Sequence, residues 1–220
     1  MSDFREFASR DALYEEAASR IASALTAAVS EHGKGHAALA GGSTPKPIYE
    51  RMGRDGTVPW DKVVLTLTDE RMAPPGDPAS NEAMIRKALE GGPGENATLV
   101  PLFEETDGLP DQDIILLGMG TDGHFASLFP GAKELAEGLA DKAPPVLKVV
   151  PDPLPAHAPF PRLSLSLPAI LSAGEIIIAI TGEEKRSVLD RAREDGPVEE
   201  LPVRALLRSD HPNITFFWAP

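Results

Sequence analysis

Residues 113–131 read DIILLGMGTDGHFASLFPG, and the fold depends on how the apolar run at its start is taken. Ile114 to Leu117 shows no alternation, so periodicity alone fits a strand buried on both faces or a piece of core helix. The shortness of the run and the glycines that end it select the strand. A strand covered on both sides belongs to a parallel sheet flanked by helices. Gly118, Gly120 and Gly123 then let the backbone turn sharply and admit close neighbours. His124 is the first bulky polar group after them, with Asp122 two positions before it. In an open α/β sheet the ligand crevice lies outside the carboxyl ends of the strands, so this turn belongs there. The letters also match GxGxxG, but that fingerprint requires a full helix after the turn. Pro130 and Gly131 arrive too soon, and His124 crowds the place of a pyrophosphate.

Other stretches repeat the plan of an apolar run that ends in polar groups. Ala37 to Ala40 leads into Gly41-Gly42-Ser43-Thr44-Pro45 and a helix through Ile48, Tyr49 and Met52. Free backbone N–H groups, two hydroxyls and a positive helix end make Gly42, Ser43 and Thr44 an anion cradle; the plainer reading is a tight turn with Ser43 or Thr44 as N-cap. The Walker pattern is absent. Val63 to Thr68 ends in Asp69-Glu70-Arg71, three charges expected at the crevice mouth because a core would not take them cheaply. Arg71 offers a fork of donors to phosphate or carboxylate, and Asp69 is suited to orient a histidine or a substrate hydroxyl; a surface salt-bridge cluster is the plain alternative. Ser80 reads as a helix cap, with Asn81 placed to reach a ligand. Glu175 to Thr181 ends in Gly182, and Lys185 follows one turn into a helix over residues 183–193, from where it can swing back toward an anion.

The rest of the chain supplies cover. Leu13, Ala17, Ile21 and Leu25 recur at helical spacing between Asp11, read as N-cap, and Gly33, read as stop. The segment MSDFREFASRDALYEE reads as acidic and helical, unlike a secretory or transit peptide. Val100 to Phe103 is expected as a short strand, Glu104 to Asp111 as an acidic loop, Lys133 to Leu139 as a short helix and Val146 to Val150 as a strand. His157, among prolines, reads as an exposed passive side chain. Arg162-Leu163-Ser164-Leu165-Ser166-Leu167 alternates strictly, which predicts a half-exposed strand, antiparallel or at an edge. Residues 168–172 and 202–207 read as helical turns and 213–218 as a last strand. Alternating strands and helices without an internal repeat predict one α/β domain over residues 1–220, a mostly parallel sheet with helices on both faces.

Composition narrows the function. The 220 residues carry a net charge of −13, with 42% hydrophobic and 25% charged residues and no cysteine. The acidic balance argues against nucleic acid and anionic membranes as partners. Thiolate chemistry and cysteine metal sites are excluded, and no run approaches the roughly 18 apolar residues of a membrane span. No histidine has a partner at metal-ligand spacing, so no metal is expected. A cytoplasmic protein, monomeric or a small homo-oligomer, is the default.

LAGGSTP at 39–45, TDER at 68–71 with Ser80-Asn81, LGMGTDGHFASLFPG at 117–131, PRLSLSLPAI at 161–170 and TGEEK at 181–185 together resemble the motifs of the 6-phosphogluconolactonase family. The resemblance implies a Rossmann-like, sugar-phosphate isomerase-type fold. It also implies hydrolysis of 6-phospho-D-glucono-1,5-lactone in the oxidative pentose phosphate pathway, without metal or organic cofactor. The related glucosamine-6-phosphate deaminases share the glycine loop and the Asp-Gly-His turn. They carry Asn-Glu-Pro where this chain has Leu128-Phe129-Pro130, and Asp-Glu-Tyr where it has Asp69-Glu70-Arg71. Both differences favour the lactonase over the deaminase, and a non-catalytic sugar-phosphate binder is disfavoured because none of the motifs has been lost. Ser164 departs mildly from the family's threonine, and an acidic, alanine-rich tail expected after the last strand does not follow Trp218.

On that reading Ser43, Thr44, Arg71, Arg162 and Lys185 hold the phosphate and sugar hydroxyls. His124 serves as general base and then general acid, oriented by Asp69 or Asp122, and N–H groups near Gly120 or Gly42 stabilise the oxyanion.

Overall fold

The structure is a computed structural model that describes residues 2–103, 109–156 and 158–220. His157 and residues 104–108 of the expected acidic loop lie outside the described residues. The strands are β1 (Asp3–Glu6), β2 (Gly35–Leu39), β3 (Val63–Leu67), β4 (Asp69–Arg71), β5 (Thr98–Leu99), β6 (Ile114–Leu117), β7 (Val146–Val149), β8 (Arg162–Leu165), β9 (Glu175–Thr181) and β10 (Ile214–Ala219). The helices are α1 (Arg10–His32), α2 (Pro45–Met52), α3 (Asn81–Leu89), α4 (Leu135–Leu139), α5 (Leu167–Leu171), α6 (Glu183–Arg193) and α7 (Val203–Leu207).

Seven strands form one sheet in the order β1-β10-β9-β6-β2-β3-β5, and every neighbouring pair runs parallel. The apolar run that opened the sequence reading is its middle strand. Ile114, Ile115, Leu116 and Leu117 are each 0% exposed, so both faces are covered and no alternation was possible. Leu39 of β2 pairs with Leu67 of β3 and with Leu116 of β6, and Leu117 pairs with Ile178 of β9. This register brings the ends of β2, β3 and β6 nearly level, with β9 running on to Thr181, so the loops that follow them emerge side by side on one edge.

The second sheet is small and antiparallel, ordered β4-β8-β7. Its central strand is antiparallel, one of the two placements expected, but it is not at an edge and is not half-exposed. Arg162, Ser164 and Ser166 are 2%, 0% and 0% exposed, while Leu163 is the partly open residue. The alternation is real, but its polar side faces inward, because that side covers the loop after β6 and the cleft floor. Ser164 Oγ accepts the Ser127 N–H at 3.0 Å and lies 3.0 Å from Leu165 O, to which it donates.

Three other expectations shift. Ser9, not Asp11, caps α1, its hydroxyl accepting the Ala12 N–H at 3.2 Å, while Gly33 closes the helix in the left-handed region at φ 81° as read. Asp3–Glu6 is an edge strand rather than helix, with Asp3 opposite Thr215 and Glu6 opposite Trp218. A segment with a single apolar residue carries no periodic signal, and its conformation comes from the exposed edge of β10. The short strand expected over 100–103 lies at Thr98–Leu99, paired with Val64 and Leu65. No helix among the described residues is long and apolar enough to cross a membrane.

Candidate active site

The level strand ends bound a cleft of about 650 Å³, inside the roughly 300–1,000 Å³ typical of small-molecule sites. Each candidate residue from the sequence borders it: Gly42, Ser43 and Thr44 after β2; Asp69, Arg71 and Asn81 from β4 and α3; Gly120, Asp122 and His124 after β6; Arg162 from β8; Lys185 from α6. The helix demanded by a dinucleotide fingerprint does not follow Gly123, since the next helix is the short α4.

The turn after β6 is built around one contact. His124 Nδ1 lies 2.6 Å from Asp122 Oδ1, which also accepts the His124 backbone N–H at 3.2 Å. Burial alone would raise the Asp122 carboxyl, but its hydrogen bonds to His124 and the imidazole's charge outweigh that and hold it below the ordinary carboxylate range. An ionised carboxylate only accepts, so Nδ1 carries the hydrogen and the Nε2 lone pair is left for a ligand. Gly120 makes the contact possible: a Cβ there would stand 2.2 Å from His124 Nδ1 and 2.4 Å from Asp122 Oδ1. The Phe129 ring packs on the imidazole with centroids 4.2 Å apart.

The loop after β2 meets the start of α2. Thr44 occupies the N-cap position without a side-chain cap; its hydroxyl lies 3.1 Å from that of Thr181, at the end of β9. The plain capping role is thereby excluded for Thr44. The first turn of α2 has few donors, because Pro45 and Pro47 lack an N–H and Lys46 donates its own to Gly42 O at 3.3 Å; Gly42 and Ser43, in the loop before the helix, are exposed at the cleft. Tyr49 buttresses the loop from below, donating to Ala40 O at 2.8 Å. Burial first, and the Asp69 charge second, push its hydroxyl well above the usual value, so it remains a donor. Lys185 stands over the same end of the sheet. Desolvation lowers its pKa, partly offset by Glu184 and Asp122.

The three charges after β3 divide their work, which corrects the expectation that all face the cleft. Glu70 turns onto the start of α3, where its carboxylate accepts N–H bonds from Asn81 at 2.8 Å and Glu82 at 2.7 Å. Asp69 lines the cleft floor but does not touch His124. Its Oδ2 accepts from Ser127 Oγ at 2.7 Å and its Oδ1 from Thr68 Oγ1 at 3.3 Å, while its backbone carbonyl accepts from Asn81 Nδ2 at 2.8 Å. Of the two carboxylates considered for orienting the imidazole, Asp122 makes the contact. Asn81 is 1% exposed and ties two loops together, because a Cβ on Gly41 would overlap its Oδ1 at 1.8 Å.

Sequence reasoning passed over Ser127, Thr68 and Thr181. Thr181 closes an apolar strand as Thr68 does, which was a usable signal; Ser127 carries none, since its partner Asp69 lies 58 positions away.

A cleft at the carboxyl ends of parallel strands, walled by a glycine-and-hydroxyl loop and by a histidine bonded to Asp122, marks an α/β protein with its small-molecule site in the usual place for an open sheet. The chain belongs to the family described as glucosamine-6-phosphate isomerases/6-phosphogluconolactonase, whose model matches residues 8–217. It is 42% identical to the 6-phosphogluconolactonase of Caulobacter vibrioides over 97% of this chain and 95% of that protein. To the enzyme of that name from Mesorhizobium japonicum it is 36% identical over 99% and 95%. Among solved structures, a 6-phosphogluconolactonase from Shewanella baltica superposes with a TM-score of 0.91 at 31% identity, covering 100% of this chain and 98% of that one. A monomeric glucosamine-6-phosphate deaminase shares the fold, with a TM-score of 0.75 at 20% identity.

Proposed function

We propose that this chain hydrolyses 6-phospho-D-glucono-1,5-lactone to 6-phosphogluconate, a step of the oxidative pentose phosphate pathway. The observation that carries the proposal is the His124–Asp122 contact at 2.6 Å, which leaves one imidazole nitrogen to the cleft, with Phe129 rather than a second carboxylate packed on the ring. Relatives named 6-phosphogluconolactonase, at up to 42% identity over nearly the whole length, support the same reading.

The phosphate docks on the loop Gly42-Ser43-Thr44, whose backbone N–H groups and two hydroxyls are the donors, with Lys185 beside it. This fixes the lactone carbonyl near His124. The neutral imidazole takes a proton from water at Nε2 as the water oxygen bonds to C1. The tetrahedral intermediate then collapses, the bond from C1 to the ring oxygen breaks, and the imidazolium returns its proton to that oxygen. The product acid loses its own proton to solvent. Asp122 keeps the imidazole in the required tautomer and steadies its charged form.

The protons and oxygens of these steps balance between His124, water and the lactone. Residues 1–220 act as one domain, supported by a single hydrophobic core cluster that includes residues of both sheets. A phosphorylated lactone does not cross a bilayer unaided, which favours a cytoplasmic site of action, and nothing in the cleft calls for a second subunit.

Lactone-dependent acid release in weak buffer, with fresh lactone and the spontaneous rate subtracted, tests the proposal. Enzyme-dependent acid release without ammonia release from glucosamine 6-phosphate is expected. Acid release at the spontaneous rate would overturn it.

A further inference from the structure

Arg71 and Arg162 sit directly opposite one another across β4 and β8, an arrangement of like charges that costs stability unless an anion joins them. Both border the cleft, and Arg162 is only 2% exposed. The Nε of each is buried with no hydrogen-bond partner. Arg71 donates to Ala79 O, and Arg162 donates to Ala158 O at 3.1 Å; among the described residues neither forms an ion pair. The nearest carboxylates are already committed, Asp69 to Ser127 and Glu70 to the start of α3. Burial and the charge of Arg71 lower the Arg162 pKa, with partial relief from Asp69 and Glu70.

The pair also has a location. The Arg162 guanidinium lies 5.8 Å from the Phe129 ring centroid, and that ring packs on His124 at 4.2 Å. The two arginines therefore stand on the histidine side of the cleft, on the antiparallel sheet, whereas the anion cradle belongs to the parallel sheet. On the lactonase reading, the substrate carries one permanent anion, its phosphate. A second negative charge appears only as the reaction proceeds, first on the C1 oxygen of the tetrahedral intermediate and then on the product carboxylate.

We infer that Arg71 and Arg162 form a second anion subsite that stabilises the C1 oxyanion and then grips the carboxylate of the product. Two planar guanidiniums suit a carboxylate, and donors aimed at charge absent from the ground state act on turnover more than on substrate affinity. The inference rests on the lactonase reading but is tested separately from it.

The test compares two ligands that differ at C1 alone: 6-phosphogluconate, a carboxylate, and D-glucitol 6-phosphate, an alcohol. Their affinities are measured by calorimetry for the wild type, Arg71→Met, Arg162→Met and Lys185→Met, whatever the turnover of lactone. Arg71→Met and Arg162→Met are expected to weaken 6-phosphogluconate about ten- to a hundredfold while leaving D-glucitol 6-phosphate within about threefold. Lys185→Met is expected to weaken both ligands. With lactone, Arg71→Met is expected to lower kcat more than it raises KM. Equal loss of both ligands in the arginine variants would place the phosphate there instead, and unchanged affinity for both would leave the pair structural; either result overturns the inference. Arg71 is half-buried, so Arg71→Met decides the matter even if Arg162→Met fails to fold. Failure of the lactonase reading appears separately, as a wild type without turnover.

Discussion

The two sheets present their side chains to the cleft in different ways. The parallel sheet keeps its central strands largely apolar and carries its polar cleft groups at their ends, where Thr44, His124 and Lys185 follow β2, β6 and β9. The antiparallel sheet offers a strand face: Arg162 and Ser164 point inward from within β8, and Asp69 and Arg71 belong to β4 itself. Functional groups on strand ends are separable from the core that holds them. Groups on a buried strand face are part of that core, so function and stability are tied together there.

The largest test of this contrast is His124→Ala. Loss of a partly exposed side chain on a strand-end turn should leave the melting temperature close to wild type while turnover of lactone falls about 10²- to 10⁴-fold, the usual contribution of general acid–base assistance. Near-wild-type turnover would remove His124 from the reaction; a large fall in melting temperature would break the separability of the strand ends.

Leu116→Ala probes the opposite property. Leu116 is 0% exposed at the centre of the parallel sheet, and its truncation should cost about 2–5 kcal/mol in denaturant unfolding. The KM of the folded fraction should not change. Ser164→Ala, on the antiparallel sheet, removes the acceptor of the buried Ser127 N–H and should cost about 1–3 kcal/mol, but with a measurable loss of kcat, because Ser127 in turn holds Asp69. If Ser164→Ala changes stability alone, the two sheets differ less than their geometry suggests.

The smallest effect concerns pH. Desolvation depresses the pKa of Lys185, so the ammonium loses its proton at lower pH than an ordinary lysine, near 10.4. An anion at the cradle favours the charged form. Affinity for 6-phosphogluconate is therefore fully present below the depressed pKa and declines as pH rises through it, before an ordinary lysine would titrate. Lys185→Arg, which keeps its charge, should abolish that alkaline decline. Its persistence in the variant would assign the titration to another group.

Several elements were legible because local pattern and tertiary role coincide. Ile114–Leu117 and Ile176–Ile180 are apolar throughout because both faces are covered, and the glycines that follow these strands mark where the chain leaves the sheet. The mostly parallel sheet and the gathering of its strand ends at one cleft followed from those runs. The alternation in β8 was equally visible, but alternation says only that two faces differ. Which face was buried depended on Ser127 and Asp69, far away in sequence. β1 was hidden for a related reason: its partner β10 lies at the other end of the chain.

The sequence by itself determined the class of fold, the cleft and its inventory of groups, because apolar runs, glycine turns and polar strand ends are properties of contiguous residues. It left open which carboxylate meets the imidazole and what each charge of Asp69-Glu70-Arg71 does. Only the tertiary structure assigned Asp122 to His124, Asp69 to Ser127, Glu70 to α3 and Arg71 to a place opposite Arg162. A side chain's partner is set by the distances between elements, and those distances exist only once the strands are in register.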